Sequence, residues 1–195
     1  MDNKGHILKI AKDKGYVTSE LVKEKGIPSW YLTDLVKRGM LHRVDRGVYM
    51  TQPLGSDEYF IFQYRNKKAI YSYSNALYFH GHTDRIPSRL EVTVYQGYNT
   101  HRFDDEVSVH YVKREIYELG ITKVKTIYGN SVNVYNMERT LCDLVKSKQI
   151  IESEVFKKAF QSYFKQEKKD VGKLMEYARK LDIETEMFTL IEVLA

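Results

Sequence analysis

Apolar residues recur at helical spacing through the first fifty positions, alternate in strand-like runs through the middle, and return to helical spacing towards the end. Ile7, Leu8, Ile10 and Ala11 form one face of a helix predicted over Lys4–Lys14, and Gly15 supplies the residue that ends it. Thr18 is placed to cap a second helix, with Glu20 in its first turn complementing the helix dipole. Leu21 and Val22 face inward until Gly26, Ile27 plugs the turn, and Pro28-Ser29 opens a third helix over Ser29–Arg38. On a helical wheel Leu32, Leu35 and Val36 make its buried stripe. Trp30, Thr33, Asp34 and Lys37 fall on the opposite face, with Tyr31 and Arg38 on the flank. Gly39 ends this helix, and Leu41–Met50 alternates as a hairpin turning at Asp45-Arg46-Gly47, with Tyr49 packing back on the helices.

Helix, tight turn, helix and basic hairpin in that order predict a winged helix-turn-helix over residues 1–51. In such a domain the outward face of the second helix of the pair enters the major groove of double-stranded DNA, its N-terminal residues nearest the base edges. The expected interface is therefore Ser29, Trp30, Tyr31, Thr33, Asp34, Lys37 and Arg38 on the helix, with His42, Arg43 and Arg46 on the hairpin. Trp30 and Thr33 suit thymine methyls and Asp34 suits a cytosine amine. Lys37, Arg38 and the hairpin cations suit phosphates, which position without reading sequence. A helical domain used for protein contacts is the alternative reading of the same pattern.

A linker, Thr51–Asp57, separates this from a second domain expected over 52–195. Tyr59–Tyr64 begins like an amphipathic helix, and Ala69–Tyr73 precedes a helix over Ser74–His80 with Ser74 as cap. Leu90–Tyr95 and Val107–Val112 alternate as strands, and Gly120–Gly129 with Ser131–Tyr135 forms a hairpin around Gly129-Asn130. From Met137 the spacing is helical, in segments near 137–146, 152–165, 168–181 and 184–193. The fold class is thus α+β: the N-terminal winged helix, then a mixed domain with a small sheet region, about 69–136, and a helical end, about 137–195.

Charge sharpens the picture. Residues 1–50 hold ten Lys/Arg against six Asp/Glu, a net of +4, whereas residues 51–195 hold 21 against 20, a net of +1. A phosphate-binding surface is therefore expected in the first quarter of the chain. The lone cysteine, Cys142, excludes an internal disulfide and suits a reducing compartment. No apolar run approaches the ~20 residues that span a bilayer, and the start carries no secretory pattern. A cytoplasmic protein without membrane partners is expected.

Three stretches carry a family resemblance: Ser72–Pro87, the strand Glu91–Tyr95, and Val134–Val145 with its Glu-Arg-Thr-Leu-Cys-Asp run at 138–143. Together with the N-terminal domain they make the chain resemble the AbiEi antitoxin family over essentially its whole length. That resemblance implies a type IV toxin–antitoxin module of phage abortive infection. It implies an antitoxin that represses its own operon by binding inverted repeats, and a palindromic site takes two copies, so self-association on the DNA is expected. It also implies opposition to a nucleotidyltransferase-like toxin without a stable complex.

The residues themselves favour structural roles over catalysis. In the helix opened by Glu138, Arg139 and Asp143 are expected to form a buried polar anchor, and Cys142 to be a small core residue. His80, His82, His101 and His110 match no zinc spacing, and no Gly-rich phosphate loop occurs, so neither metal nor cofactor is expected. The enzyme alternative is a divergent restriction-type nuclease or a regulator derived from one, with Asp84 and Glu91 as magnesium carboxylates. The position where that chemistry needs a lysine is Thr93. Tyrosine clusters (Tyr71, Tyr73 and Tyr78; Tyr95 and Tyr98) are read as half-buried packing. The late lysines and arginines, such as Lys157, Lys158, Lys165 and Arg179, are read as a solvated helix face.

Overall fold

A computed structural model describes residues 2–52, 57–147 and 153–194. The chain divides into two compact units, one of residues 1–65 with 125–132, the other of residues 66–124 with 133–195. The division differs from the expected boundary after residue 51. The linker positions 53–56 and the first residue of the expected helix over 152–165 lie outside the described residues.

In the first unit the order is α1 (Asn3–Lys14), β1 (Val17–Thr18), α2 (Ser19–Glu24), α3 (Trp30–Lys37), β2 (His42–Asp45), β3 (Val48–Met50) and α4 (Glu58–Arg65). Asp2 caps α1 through Gly5 N, and Gly15 closes it at φ 78°, a left-handed geometry that glycine adopts without a Cβ penalty. Thr18 caps α2 as expected, its hydroxyl accepting from Leu21 N at 3.1 Å. Ile7, Ile10, Ala11, Val22, Ile27, Leu32, Leu35 and Leu41 close into one core, with Val36 and Tyr49 packed against it. Each fully buried aliphatic side chain contributes about 1.5–3 kcal/mol.

Thr18 also belongs to β1, a strand the periodicity does not signal. β1 pairs antiparallel with β3 (Val17↔Tyr49, Thr18↔Val48), which pairs on its other side with β2 in a three-stranded sheet. A register shift between Arg43 and Asp45 interrupts β2, so strict alternation fails there. Asp57, buried, caps α4 by accepting from Phe60 N at 3.0 Å. It also accepts from Thr126 Oγ1 and, at 2.7 Å, from Asn130 Nδ2. This buried carboxylate is the physical link between α4 and the 125–132 turn within the first unit.

The second unit contains β4 (Ile70–Tyr71), α5 (Tyr73–Phe79), β5 (Leu90–Tyr95), β6 (Val107–Val112), α6 (Arg114–Tyr117), β7 (Ile121–Lys125), β8 (Ser131–Tyr135), α7 (Met137–Lys146), α8 (Ser153–Phe164), α9 (Val171–Lys180) and α10 (Glu184–Leu194), the tip of the β7–β8 hairpin grouping with the first unit. The five strands stand in the order β6-β5-β4-β8-β7. β4 runs antiparallel to β5 and parallel to β8, and β5 and β6 are parallel in register from Leu90↔Val107 to Tyr95↔Val112. The cap of α5 is Ser72 rather than Ser74. Ser72 Oγ accepts from Thr93 Oγ1 at 2.9 Å instead of capping with its side chain, and Glu91 Oε2 serves the helix end by accepting from Ser74 N at 2.7 Å.

Helix α7 lies at the centre of this unit, buried from Met137 to Val145. Leu141, Cys142 and Leu144 join Phe160 and Tyr163 of α8, Leu174 and Ala178 of α9, and Met187 of α10 in the largest core. The expected polar anchor is present: Arg139 Nε donates to Asp143 Oδ1 at 3.0 Å. Arg139 Nη1 donates to the carbonyls of Ile116 at 2.5 Å and Leu119 at 3.0 Å, and the guanidinium lies 4.4 Å over the Tyr135 ring. Burial pushes the Asp143 carboxyl above its usual range against the opposing pull of Arg139. Burial likewise pushes the Cys142 thiol up to about 12, with the neighbouring Asp143 charge adding to it, which keeps the sulfur protonated and inert. Among the described residues no helix is long and apolar enough to cross a membrane.

Candidate nucleic-acid interface

The site is built on α3. Leu32 and Leu35 anchor one side of the helix in the core, and Trp30, Thr33 and Lys37 are thereby turned outward. Trp30 is 56% exposed, unusual for so large an apolar surface. Its ring stacks on Tyr31 at 3.8 Å, and Tyr31 itself packs against the core, so the indole is held against a fixed neighbour. Ser29, Thr33, Lys37 and Arg38 are exposed. Gly39, at φ 68°, turns the chain out of the helix, while Met40 N and Leu41 N both donate to Leu35 O. Burial of Leu41 then fixes where β2 begins.

On the β2–β3 hairpin, His42, Arg43 and Arg46 are all exposed. Gly47 takes φ 78°, and Asp45 Oδ1 accepts from Arg46 N, so the turn carries its own carboxylate brace. Arg43 Nε donates to Asp45 O at 3.4 Å, and Arg65 Nη1 stands 3.4 Å from Asp45 Oδ2. The expected cations are therefore displayed on two neighbouring elements of the first unit, α3 and the hairpin that follows it.

Asp34 departs from its expected use. Its carboxylate stands 2.7 Å from Lys4 Nζ and accepts from Arg38 Nε at 3.0 Å. These two partners hold the Asp34 carboxyl below the usual carboxylate range, the Lys4 contact contributing most. A carboxylate so engaged orients Arg38 and ties α1 to α3 rather than waiting for a cytosine amine. Lys4 escaped the local reading because its partner lies thirty residues away, and only the packing of α1 on α3 brings the two together.

Of the positions considered for catalysis, Glu91 and Thr93 are held in structural bonds. Glu91 accepts from Ser74 N, and Thr93 is buried and donates to Ser72. Asp84 is exposed. The histidines are dispersed among different partners. His80 Nε2 meets Tyr135 O at 2.8 Å, His82 meets Ser162 and Gln166, and His110 lies against the Tyr73 ring. Burial lowers the pKa of all three. Tyr71 is buried, and Tyr95 packs edge-on against both Tyr98 and Tyr117. On the late helices Lys158, Lys173, Arg179 and Lys180 pair with Glu154, Asp170, Glu184 and Glu176 on their surfaces.

Residues 7–52, spanning α1 through the hairpin, match the family model described as a transcriptional regulator, AbiEi antitoxin. Over these residues the chain is similar to the AbiEi antitoxin transcriptional regulators. The matched residues include the exposed face of α3 and the basic hairpin, and they end before α4. No curated protein matches the sequence. The crystal structure of the RV2827C protein from Mycobacterium tuberculosis aligns with 92% of this chain and 76% of its own, at 13% identity and a TM-score of 0.48.

Proposed function

We propose that the chain is a DNA-binding antitoxin and autorepressor, its first unit working as a winged helix-turn-helix on inverted repeats in its own promoter. The observation that carries the reading is the division of α3. Leu32 and Leu35 hold it from behind, while Trp30, Thr33, Lys37 and Arg38 stand outward within a domain matching AbiEi transcriptional regulators. Trp30 and Thr33 read base edges through apolar contact with thymine methyls. Lys37, Arg38, Arg43 and Arg46 hold phosphates, the β2–β3 hairpin acting as the wing. Asp34 keeps Arg38 aimed. An inverted repeat takes two copies of the chain, one per half-site. The work of opposing a nucleotidyltransferase-like toxin, without a stable complex, falls to the second unit, and action at a promoter places the protein in the cytoplasm.

The test is gel-shift titration of the full chain on the DNA upstream of its own gene, against the same fragment with its repeat scrambled. Preference for the intact repeat, lost steeply as salt rises, is expected. Equal affinity for both fragments would sink the sequence-reading role of α3. Co-expression with the neighbouring toxin gene tests the second half: rescue of growth without co-purification is expected, and failure to rescue overturns the antitoxin assignment.

A further inference from the structure

Two cavities of the second unit share a wall made by Thr83, Arg85 and Val155. The larger, about 560 Å³, carries three cations (Arg85, Lys158 and Lys165) against two carboxylates, Asp84 and Glu154. The smaller, about 310 Å³, is lined differently, by Tyr73, Leu77, Ile86 and Pro87 around the polar pair Glu91 and His110. Volumes of this size suit small ligands, for which about 300–1,000 Å³ is usual.

The smaller cavity has a polar feature that its own fold does not use up. There, His110 Nε2 is buried with no hydrogen-bond partner among the described residues, 3.9 Å from Glu91 Oε1, too far for a bond between them. A buried ring nitrogen left without a partner costs free energy unless a ligand group satisfies it. The Glu91 charge favours the tautomer that keeps the proton on Nε2, so the pair offers one donor beside one acceptor. Tyr73 packs against the His110 ring, tilted by 30° with 3.9 Å between centroids, and limits its rotation. The matching ligand edge has an amine next to an unprotonated ring nitrogen, as adenine and cytosine have.

The larger cavity is suited to phosphate. Lys158 pairs with Glu154 at 2.7 Å, and the three cations against two carboxylates leave this wall with one positive charge in excess. Its floor is fixed: His82 is bonded through both ring nitrogens, to Ser162 and to Gln166, and burial lowers its pKa, keeping it neutral. Thr83 Oγ1 accepts from Arg85 N and braces the turn carrying the shared arginine.

We propose that the second unit binds a nucleoside phosphate, with the edge of an amino base facing Glu91 and His110 and the phosphates against Arg85, Lys158 and Lys165. The two chemistries adjoin in the order that a nucleotide presents them, base then phosphates. Regulation by a free nucleotide would be independent of the operator-binding face on α3.

The test is calorimetric titration of the full chain with ATP, CTP, UTP, adenosine and inorganic tripolyphosphate. ATP or CTP is expected to bind at least about tenfold tighter than UTP, adenosine or tripolyphosphate. The double replacement Lys158→Glu with Lys165→Glu, on the exposed helix face, should weaken ATP by about tenfold or more and leave adenosine unchanged. Glu91→Gln keeps an acceptor for Ser74 N but removes the charge, and should abolish the preference for ATP over UTP. Circular dichroism checks that both variants remain folded. No binding of any nucleotide at about 1 mM overturns the proposal. So does tripolyphosphate binding as tightly as ATP, or ATP affinity indifferent to the lysine replacements.

Discussion

The same pair of residues, an aspartate and an arginine four positions apart on a helix, occurs in both units with opposite consequences. On α3, Asp34 and Arg38 meet at 3.0 Å with their side chains 26% and 56% exposed. On α7, Arg139 and Asp143 also meet at 3.0 Å, but are 0% and 6% exposed. Bond length does not distinguish them; dielectric and partners do. Water screens the first pair, so it aims a side chain and adds little stability. The second pair is closed off from water, and the Arg139 guanidinium also satisfies two carbonyls, so removing one member leaves an uncompensated charge in the core. The order of the pair differs as well. Arg38, the exposed pair's C-terminal member, stands at the end of α3, where a cation suits the dipole and can face a phosphate.

The strongest way to break this comparison is Arg139→Met, which should cost about 3–5 kcal/mol by stranding Asp143. Urea unfolding measures it, and the paired replacement R139M with D143L should recover most of the loss. A single variant as stable as the parent would place Arg139 outside the energetics of the core. Next in size is Gly120→Ala. Gly120 sits at φ +83°, and an added Cβ would lie 2.6 Å from Arg139 Cβ. Strain and displacement together should cost about 1–3 kcal/mol, read as a lowered thermal midpoint.

A smaller effect follows from protonation. His80, His82 and His110 all titrate below their usual range because burial disfavours the charged ring. The unfolded chain therefore takes up protons near pH 6.5 that the folded chain refuses. The stability that these groups contribute is present above about pH 6.5 and is lost as pH falls below it. Thermal midpoints measured between about pH 7.5 and 5.5 should fall towards acid, and replacing His110 by Asn should flatten that slope. A midpoint that rises over the same window contradicts the assignment.

Least visible in stability, though not in binding, is the exposed pair. Arg38→Ala should leave the unfolding midpoint in place while weakening operator binding, and should lower the salt slope of log affinity by about 0.9 if one phosphate contact is lost. Lys37→Ala and Arg46→Ala should behave alike on every DNA sequence, whereas Trp30→Ala should change which sequence is preferred. An unfolding midpoint moved as far by Arg38→Ala as by Arg139→Met would erase the distinction between the pairs.

Much of the first unit was legible because its signals are local. Thr18 capping α2, Gly15 and Gly39 ending helices, and the Leu32–Leu35 stripe each depend on residues within four positions of one another. The central helix of the second unit was legible for the same reason, down to its Arg139–Asp143 anchor. What escaped was non-local. β1 is two residues whose strand character exists only against β3. The cap of α5 moved from Ser74 to Ser72 because Glu91, from β5, takes over the Ser74 amide. The grouping of α4 with the first unit rests on Asp57 binding Thr126 and Asn130, about seventy positions away.

The sequence by itself determined the longer helices and strands, and which face of α3 is apolar, since caps, turns and periodicity act over a few residues. Tertiary structure alone decided what each charged side chain is for. It gave Asp34 to Lys4, aimed Arg139 at the carbonyls of Ile116 and Leu119, and left His110 Nε2 beside Glu91 without a hydrogen-bond partner among the described residues. A charge takes its meaning from its dielectric and its neighbours, and both are set by segments far apart in the chain.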